Sequence, residues 1–163
     1  MGINVVLNMN SKMKILIMGL PGSGKTWLGS RIAEKFGIPF WDADVVRKVY
    51  NDWDFSNQGR ERQSLRMRKL AEVDLISISA FIAPLPGYIR NFFPDKVIFM
   101  DTVRECQYED TNKLFQPPQK SDVRIVKWID ENQLYSSLDD INLGTMGISN
   151  FSNELMEKLG KLS

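Results

Sequence analysis

The chain has 163 residues, 43% of them hydrophobic and 25% charged, with a formal net charge of +1. This is the make-up of one globular domain able to bury its own core. It excludes a disordered or low-complexity chain, and it gives no overall field for wrapping nucleic acid. The absence of histidine excludes His-based general base catalysis, Ser-His-Asp and Cys-His systems and His metal sites; the single cysteine, Cys106, excludes an internal disulfide and a thiolate metal cluster.

Residues 1–12 read as an N-terminal extension and 13–163 as a single domain. Met1 to Lys14 lacks the basic start and apolar core of a secretory signal, and Val6 stands where a myristoylation signal wants Ser or Thr. Met13 is a candidate alternative start. No apolar run approaches the ~20 residues a membrane-spanning helix needs, so a cytoplasmic protein with no membrane partner is expected. Met13 to Met18 reads as a buried strand bounded by Gly19. The spacing of Leu28, Ile32 and Phe36 predicts a helix from about Lys25 to Phe36, stopped by Gly37. Ile38 to Trp41 reads as a short second strand. Ser56 to Glu72 reads as a charged helix, with Leu65, Leu70 and Ala71 as inner positions. Leu75 to Ile82, Lys96 to Asp101 and Val123 to Trp128 read as strands, and Ser152 to Lys161 as a last helix. Apolar strands alternating with helices predict a five-stranded parallel sheet covered on both faces, a three-layer α/β sandwich. In such sheets ligands bind beyond the carboxyl ends of the strands.

Beyond the first strand stands Gly19-Leu20-Pro21-Gly22-Ser23-Gly24-Lys25-Thr26, a full match to G-x-x-x-x-G-K-[ST] between an apolar strand and a helix. Its glycines let backbone N–H groups turn inward as an anion nest, and the helix N-terminus adds partial positive charge. Lys25 is expected to reach the β- and γ-phosphates of ATP and the Thr26 hydroxyl to ligate Mg²⁺. Gly19, Pro21, Gly22, Ser23, Gly24, Lys25 and Thr26 are therefore the nucleotide-binding candidates, and the fold class is a P-loop NTPase sandwich. No Asp-x-x-Gly occurs, and Asn112-Lys113-Leu114-Phe115 lacks the final Asp of a guanine reader, so a GTPase switch is disfavoured. A short chain with this loop better fits a small-molecule kinase.

A kinase needs a carboxylate at the acceptor hydroxyl and cations on the transferring group. Beyond the second strand, Asp42-Ala43-Asp44-Val45-Val46-Arg47 supplies both. Asp44 is the candidate to take the hydroxyl proton, Arg47 the candidate to neutralise charge one helical turn on, and Asp42 the candidate to orient Mg²⁺. The alternative reading is that Asp42 or Asp44 merely caps the following helix. Arg60, Arg62, Arg66, Arg68 and Lys69 put five cations in ten residues; Arg62, Arg66 and Lys69 share a face that is solvated in the plain reading, with one or two cations left to reach an anionic acceptor. Trp53, Phe55 and Phe81 are candidates to stack on a base, with core packing as the alternative.

At these residues the chain resembles adenylylsulfate kinases, which phosphorylate the 3′-hydroxyl of adenylyl sulfate with ATP. The family's Gly-Leu-Ser-Gly-x-Gly-Lys-[Ser/Thr] is similar to Gly19–Thr26, with Pro21 replacing Ser, and its Asp-Gly-Asp-Asn-x-Arg is similar to Asp42–Arg47. Its Gly-Phe-Ser-x-x-Asp-Arg resembles Asp54–Arg60, its Phe-Ile-Ser-Pro resembles Phe81-Ile82-Ala83-Pro84, and its Val-Asp-Thr-Pro-x-Glu-x-Cys resembles Met100–Cys106. The resemblance implies that Phe55 stacks on the acceptor base and that Arg60 contacts the acceptor. It also implies that Gln63 stands at a family Asn and that Arg47, Phe81, Ile82 and Ala83 border the same subsite. It covers about residues 13–128. The family's basic lid is nearly gone, with Tyr108–Phe115 in its place, and Ala83 lacks the Ser hydroxyl. Shortened chains of this pattern look like those carried by bacterial viruses, which would place the protein in a host cytoplasm. Family members often form homodimers.

The expected partner is thus a small-molecule nucleotide acceptor. Polynucleotide kinases also pair this loop with Asp-x-x-Arg, so a nucleic-acid 5′ end or a modified base is the second reading. A nucleotide-binding module without turnover is the third.

Overall fold

The computed structural model describes residues 12–127; residues 1–11, Trp128 at the end of the expected fifth strand, and the helix expected near Ser152 to Lys161 lie outside the described residues. At the centre is β1 (Met13–Met18), with all six residues buried. The two-residue period of a strand sends Ile15 and Ile17 to one side of the sheet and Leu16 and Met18 to the other. It is flanked by β2 (Phe40–Asp42), β3 (Ile76–Ala80), β4 (Lys96–Met100) and β5 (Val123–Ile125) in the order β2-β3-β1-β4-β5, every pairing parallel. Ile17 faces Ala80 on one side and Ile98 on the other.

Because β1 is apolar on both faces, both must be covered. On the Ile15 face packs α1 (Lys25–Phe36), through Leu28, Ile32 and Ala33. On the Leu16 face pack α2 (Ala43–Tyr50), α3 (Asn57–Ala71) and α4 (Pro86–Phe92), through Val46, Met67, Ala71 and Phe92, with Phe81 edge-on to Phe92 at 5.3 Å. A short α5 (Glu109–Leu114) follows β4. The five-stranded parallel sheet with helices on both faces is the three-layer architecture expected.

Several boundaries differ from expectation. The second strand is Phe40–Asp42 rather than Ile38–Trp41, because the Ile38 N–H closes the exit of α1 on the Ala33 carbonyl and Pro39 has no N–H to give. The third stops at Ala80, short of Ile82; soon after it Ala83 turns into the left-handed region at φ 48°. The fifth ends at Ile125. Ser56 and Glu72 are the caps of α3 rather than its ends, and Leu65 is 42% exposed on its outer side, not an inner position. The helices α4 and α5 had not been expected. At the far end of the sheet, buried Lys14 donates to the Glu72 carboxylate at 2.7 Å, tying β1 to the end of α3. No helix among the described residues is long and apolar enough to cross a membrane.

Candidate active site

The loop after β1 is a cradle at the carboxyl edge of the sheet. Gly19 sits at φ 154° with so little room that a Cβ there would meet the Met100 carbonyl oxygen at 2.6 Å and Ser23 Oγ at 2.7 Å. Gly22 and Gly24 also have positive φ, 81° and 100°. Gly24 is the N-cap of α1 and offers no side chain to its amides. The first N–H groups of that helix are left for a ligand, where the helix dipole favours an anion. Ser23 is fully buried, its N–H bonded to the Leu20 carbonyl and its own carbonyl accepting from Thr102 Oγ1 at 2.7 Å. Pro21, within this loop, is partly buried. Lys25 Nζ donates to the Leu20 carbonyl at 2.9 Å, folded along the cradle. Burial pulls the Lys25 ammonium down to about 8, while Asp44 and Asp42 nearby partly restore it.

Across the mouth, Asp42 does two things. One carboxylate oxygen accepts the N–H of Asp44 at 2.9 Å, so Asp42 is the N-cap of α2; the other accepts the Thr26 hydroxyl. The capping alternative therefore holds for Asp42, and it coexists with contact to the cradle. Asp44 is not the cap. It stands on the first turn of α2, exposed, close enough to Lys25 to favour that ammonium, and its carboxylate accepts no hydrogen bond among the described residues. A hydroxyl and a carboxylate side by side form a small all-oxygen donor set. That suits Mg²⁺, which takes one or two protein oxygens and completes its shell with phosphates and water.

Beside Asp44 opens a cleft of about 390 Å³, its solvent-facing mouth included, walled by α2, α3, α4 and the loop after β3. Arg47, Phe55, Arg60, Gln63, Phe81, Ile82 and Ala83, the residues proposed from sequence for the acceptor, all line it. Ser64, Pro84 and Tyr88 line it too. Of these three, Ser64 and Tyr88 had no signal in the sequence. Tyr88 is nearly buried and donates a long 3.4 Å bond to Asn57 Oδ1.

The basic run divides in two. Arg47 is only 5% exposed, donates to the carbonyls of Asp52 and Asp54, and lies 4.4 Å from the Phe55 ring centroid. Arg60 donates to the Phe55 carbonyl at 2.9 Å and lies 5.4 Å from the same centroid. Burial lowers the pKa of both guanidiniums, more than Asp52 restores at Arg47, and neither has a carboxylate partner among the described residues. Arg62 and Arg66 are spent on Asp52 instead. Gln63 forms part of the wall, but its amide is committed: Nε2 donates to the Ala43 carbonyl and Oε1 accepts from Arg66. Phe81 is both core and wall, 7% exposed. Trp53 and Phe55 are half exposed.

The Tyr108–Phe115 segment folds around α5, with Tyr108 and Phe115 as its caps. Phe115 packs on Phe99 and the Gln116 N–H donates to the Pro84 carbonyl, which closes this segment onto the cleft wall.

No protein-family model matches the chain. It is 27% identical over 154 residues to the shikimate kinase of Haemophilus influenzae (strain PittEE), covering 84% of this chain and 86% of that one. Among solved structures it is similar to the Mycobacterium tuberculosis APS kinase CysC in complex with AMPPNP and APS, at a TM-score of 0.64 and 18% identity, covering 79% of this chain and 96% of that one. It is also similar to a gluconokinase from Sinorhizobium meliloti 1021, at a TM-score of 0.55 and 14% identity, covering 92% and 93%. The fold is that of the P-loop small-molecule kinases. The relative and the two structural neighbours named here are all kinases.

Proposed function

We propose that this chain is an ATP-dependent kinase that phosphorylates a hydroxyl of a small anionic acceptor, with the 3′-hydroxyl of adenylyl sulfate as the preferred one. The observation that carries the reading is the position of Asp44 near Lys25 and on the cleft wall, with its carboxylate accepting no hydrogen bond among the described residues. The glycine cradle and the α1 N-terminus bind the triphosphate, and Lys25 leaves the Leu20 carbonyl to follow the γ-phosphate. Thr26 and Asp42 would hold Mg²⁺, which supplies charge neutralisation at the phosphates when bound. Asp44 accepts the proton of the acceptor hydroxyl as its oxygen bonds to Pγ and the bond from Pγ to the β-γ bridging oxygen breaks, leaving ADP. Arg47 and Arg60, which have no carboxylate partner among the described residues, supply the positive charge an anionic acceptor requires. Phe55 favours an acceptor with a planar ring.

A second reading, a carboxylate-bearing polyol as acceptor, is favoured by the 27% identity to a shikimate kinase across 84% of the chain. The same two arginines serve it. The test is transfer from γ-labelled ATP to adenylyl sulfate, shikimate, gluconate and a 5′-hydroxyl oligonucleotide, with an acceptor-free control. Label on adenylyl sulfate is expected. Label on shikimate or gluconate alone transfers the assignment to the second reading, and binding without any transfer ends the kinase reading. Asp44→Asn is expected to lower kcat about 10²- to 10⁴-fold with ATP affinity little changed; retained turnover removes Asp44 as the base.

A further inference from the structure

One carboxylate sorts the arginines of this site. Asp52 accepts from Arg62 through two nitrogens, Nε at 2.8 Å and an Nη at 2.9 Å, and from Arg66 at 3.0 Å, with its side chain 13% exposed. Asp54 adds a 3.3 Å bond to Arg62 and accepts the Ser56 N–H at 2.9 Å. The same four-residue turn presents its carbonyls to the cleft side. Those of Asp52 and Asp54 accept from Arg47 at 2.9 and 3.1 Å, and that of Phe55 accepts from Arg60 at 2.9 Å. Arg66 also reaches Gln63, which holds the Ala43 carbonyl beside Asp44.

We propose that Asp52 is a positioning residue of the acceptor cleft: by locking the 52–55 turn against α3, it fixes the Arg47 and Arg60 guanidiniums and the Phe55 ring toward the acceptor. This rests on reading the cleft as the acceptor site. Isolated surface ion pairs are worth little, but a bidentate pair on a shared carboxylate fixes geometry as well as charge. Were Asp52 absent, Arg66 would lose its carboxylate partner, Arg62 would keep only the longer bond to Asp54, and the carbonyls that aim Arg47 and Arg60 would lose their anchor together.

Trp53, half exposed within the turn, reports its position independently of turnover. The experiment compares wild type, Asp52→Asn and Asp52→Glu, each labelled with 5-fluorotryptophan, the ¹⁹F line of residue 53 being assigned by Trp53→Phe. In Asp52→Asn the Trp53 line is expected to shift or broaden. The acceptor KM is expected to rise about tenfold or more, with kcat and the ATP KM within about twofold. Asp52→Glu is expected to recover part of both changes. Where Asp52→Asn does not fold, Arg62→Gln, which leaves Arg66 in place, carries the same expectation at smaller size. A Trp53 line unchanged in Asp52→Asn overturns the proposal. So does an unchanged acceptor KM, or a loss confined to kcat. Were the wild type to phosphorylate none of the acceptors, the acceptor reading would fall, and the Trp53 line would still decide whether Asp52 holds the turn.

Discussion

Lys25 is a cation held where charge is disfavoured. With its pKa brought from the ordinary 10.5 to about 8, it is charged in the empty protein below that pH and neutral above it. On the proposed reading a triphosphate binds the charged form, so nucleotide binding is expected to be full at pH 7 and to weaken as pH rises through 8. Complex formation near pH 8 then takes up a proton. The expected outcome is a basic limb near pH 8 in kcat/KM for ATP that moves well above pH 10 in Lys25→Arg, whose guanidinium does not titrate there. A profile flat to pH 10 in the wild type contradicts it. The fold senses the same group with opposite sign. The unfolded lysine keeps a proton that the folded one releases, so this residue adds stability as pH rises from about 8 to 10.5.

At the scale of elements, the junction between α2 and α3 sets the cleft. Ser56 caps α3 by accepting the Gly59 N–H at 3.2 Å, and Gly59 lies so close beneath the turn that a Cβ would run into the Asp54 carbonyl oxygen. Gly59→Ala is therefore expected to push the 52–55 turn off α3 and to cost about 1–3 kcal/mol, as overpacking does; urea unfolding measures it. An equal stability would mean the turn yields freely. The helices facing the core were legible because their apolar residues recur at helical spacing, as Leu28 and Ile32 do. The shorter ones were not. Within α4 the run Pro-Gly-Tyr-Ile-Arg-Asn-Phe begins with two poor helix formers, and α5, Glu-Asp-Thr-Asn-Lys-Leu, has one buried residue, Thr111, and no apolar stripe. Leu65 was misplaced because a charged helix with apolar residues on several sides gives periodicity little to choose from.

Over the molecule as a whole, three carboxylates among the described residues are held below their ordinary range: Asp52 by bonds from Arg62 and Arg66, Asp54 by bonds from Ser56 and Arg62, and Glu72 by bonds from Lys14 and Arg68. Depressed carboxylates add stability that is fully present above about pH 4 and is lost as pH falls through their folded values. Tm is expected to be flat near pH 6 and to decline below about pH 4, less steeply in Glu72→Gln and, because these groups meet solvent, less steeply at high salt. The motifs that follow β1 and β2 were readable because a phosphate cradle demands glycines, a lysine and a hydroxyl at fixed spacing. The sorting of Arg47 and Arg60 from Arg62 and Arg66 was not readable. It depends on which side of one turn each guanidinium falls, and Asp52 carries no motif. The cradle also leans on residues far along the chain: Gly19 is packed against Met100, and Ser23 is tied to Thr102. A ribosome that has made only the first eighty residues has therefore produced the whole glycine loop without the strand that seats it. The earliest signature to be synthesised becomes a working grip only after β4 has emerged and paired with β1.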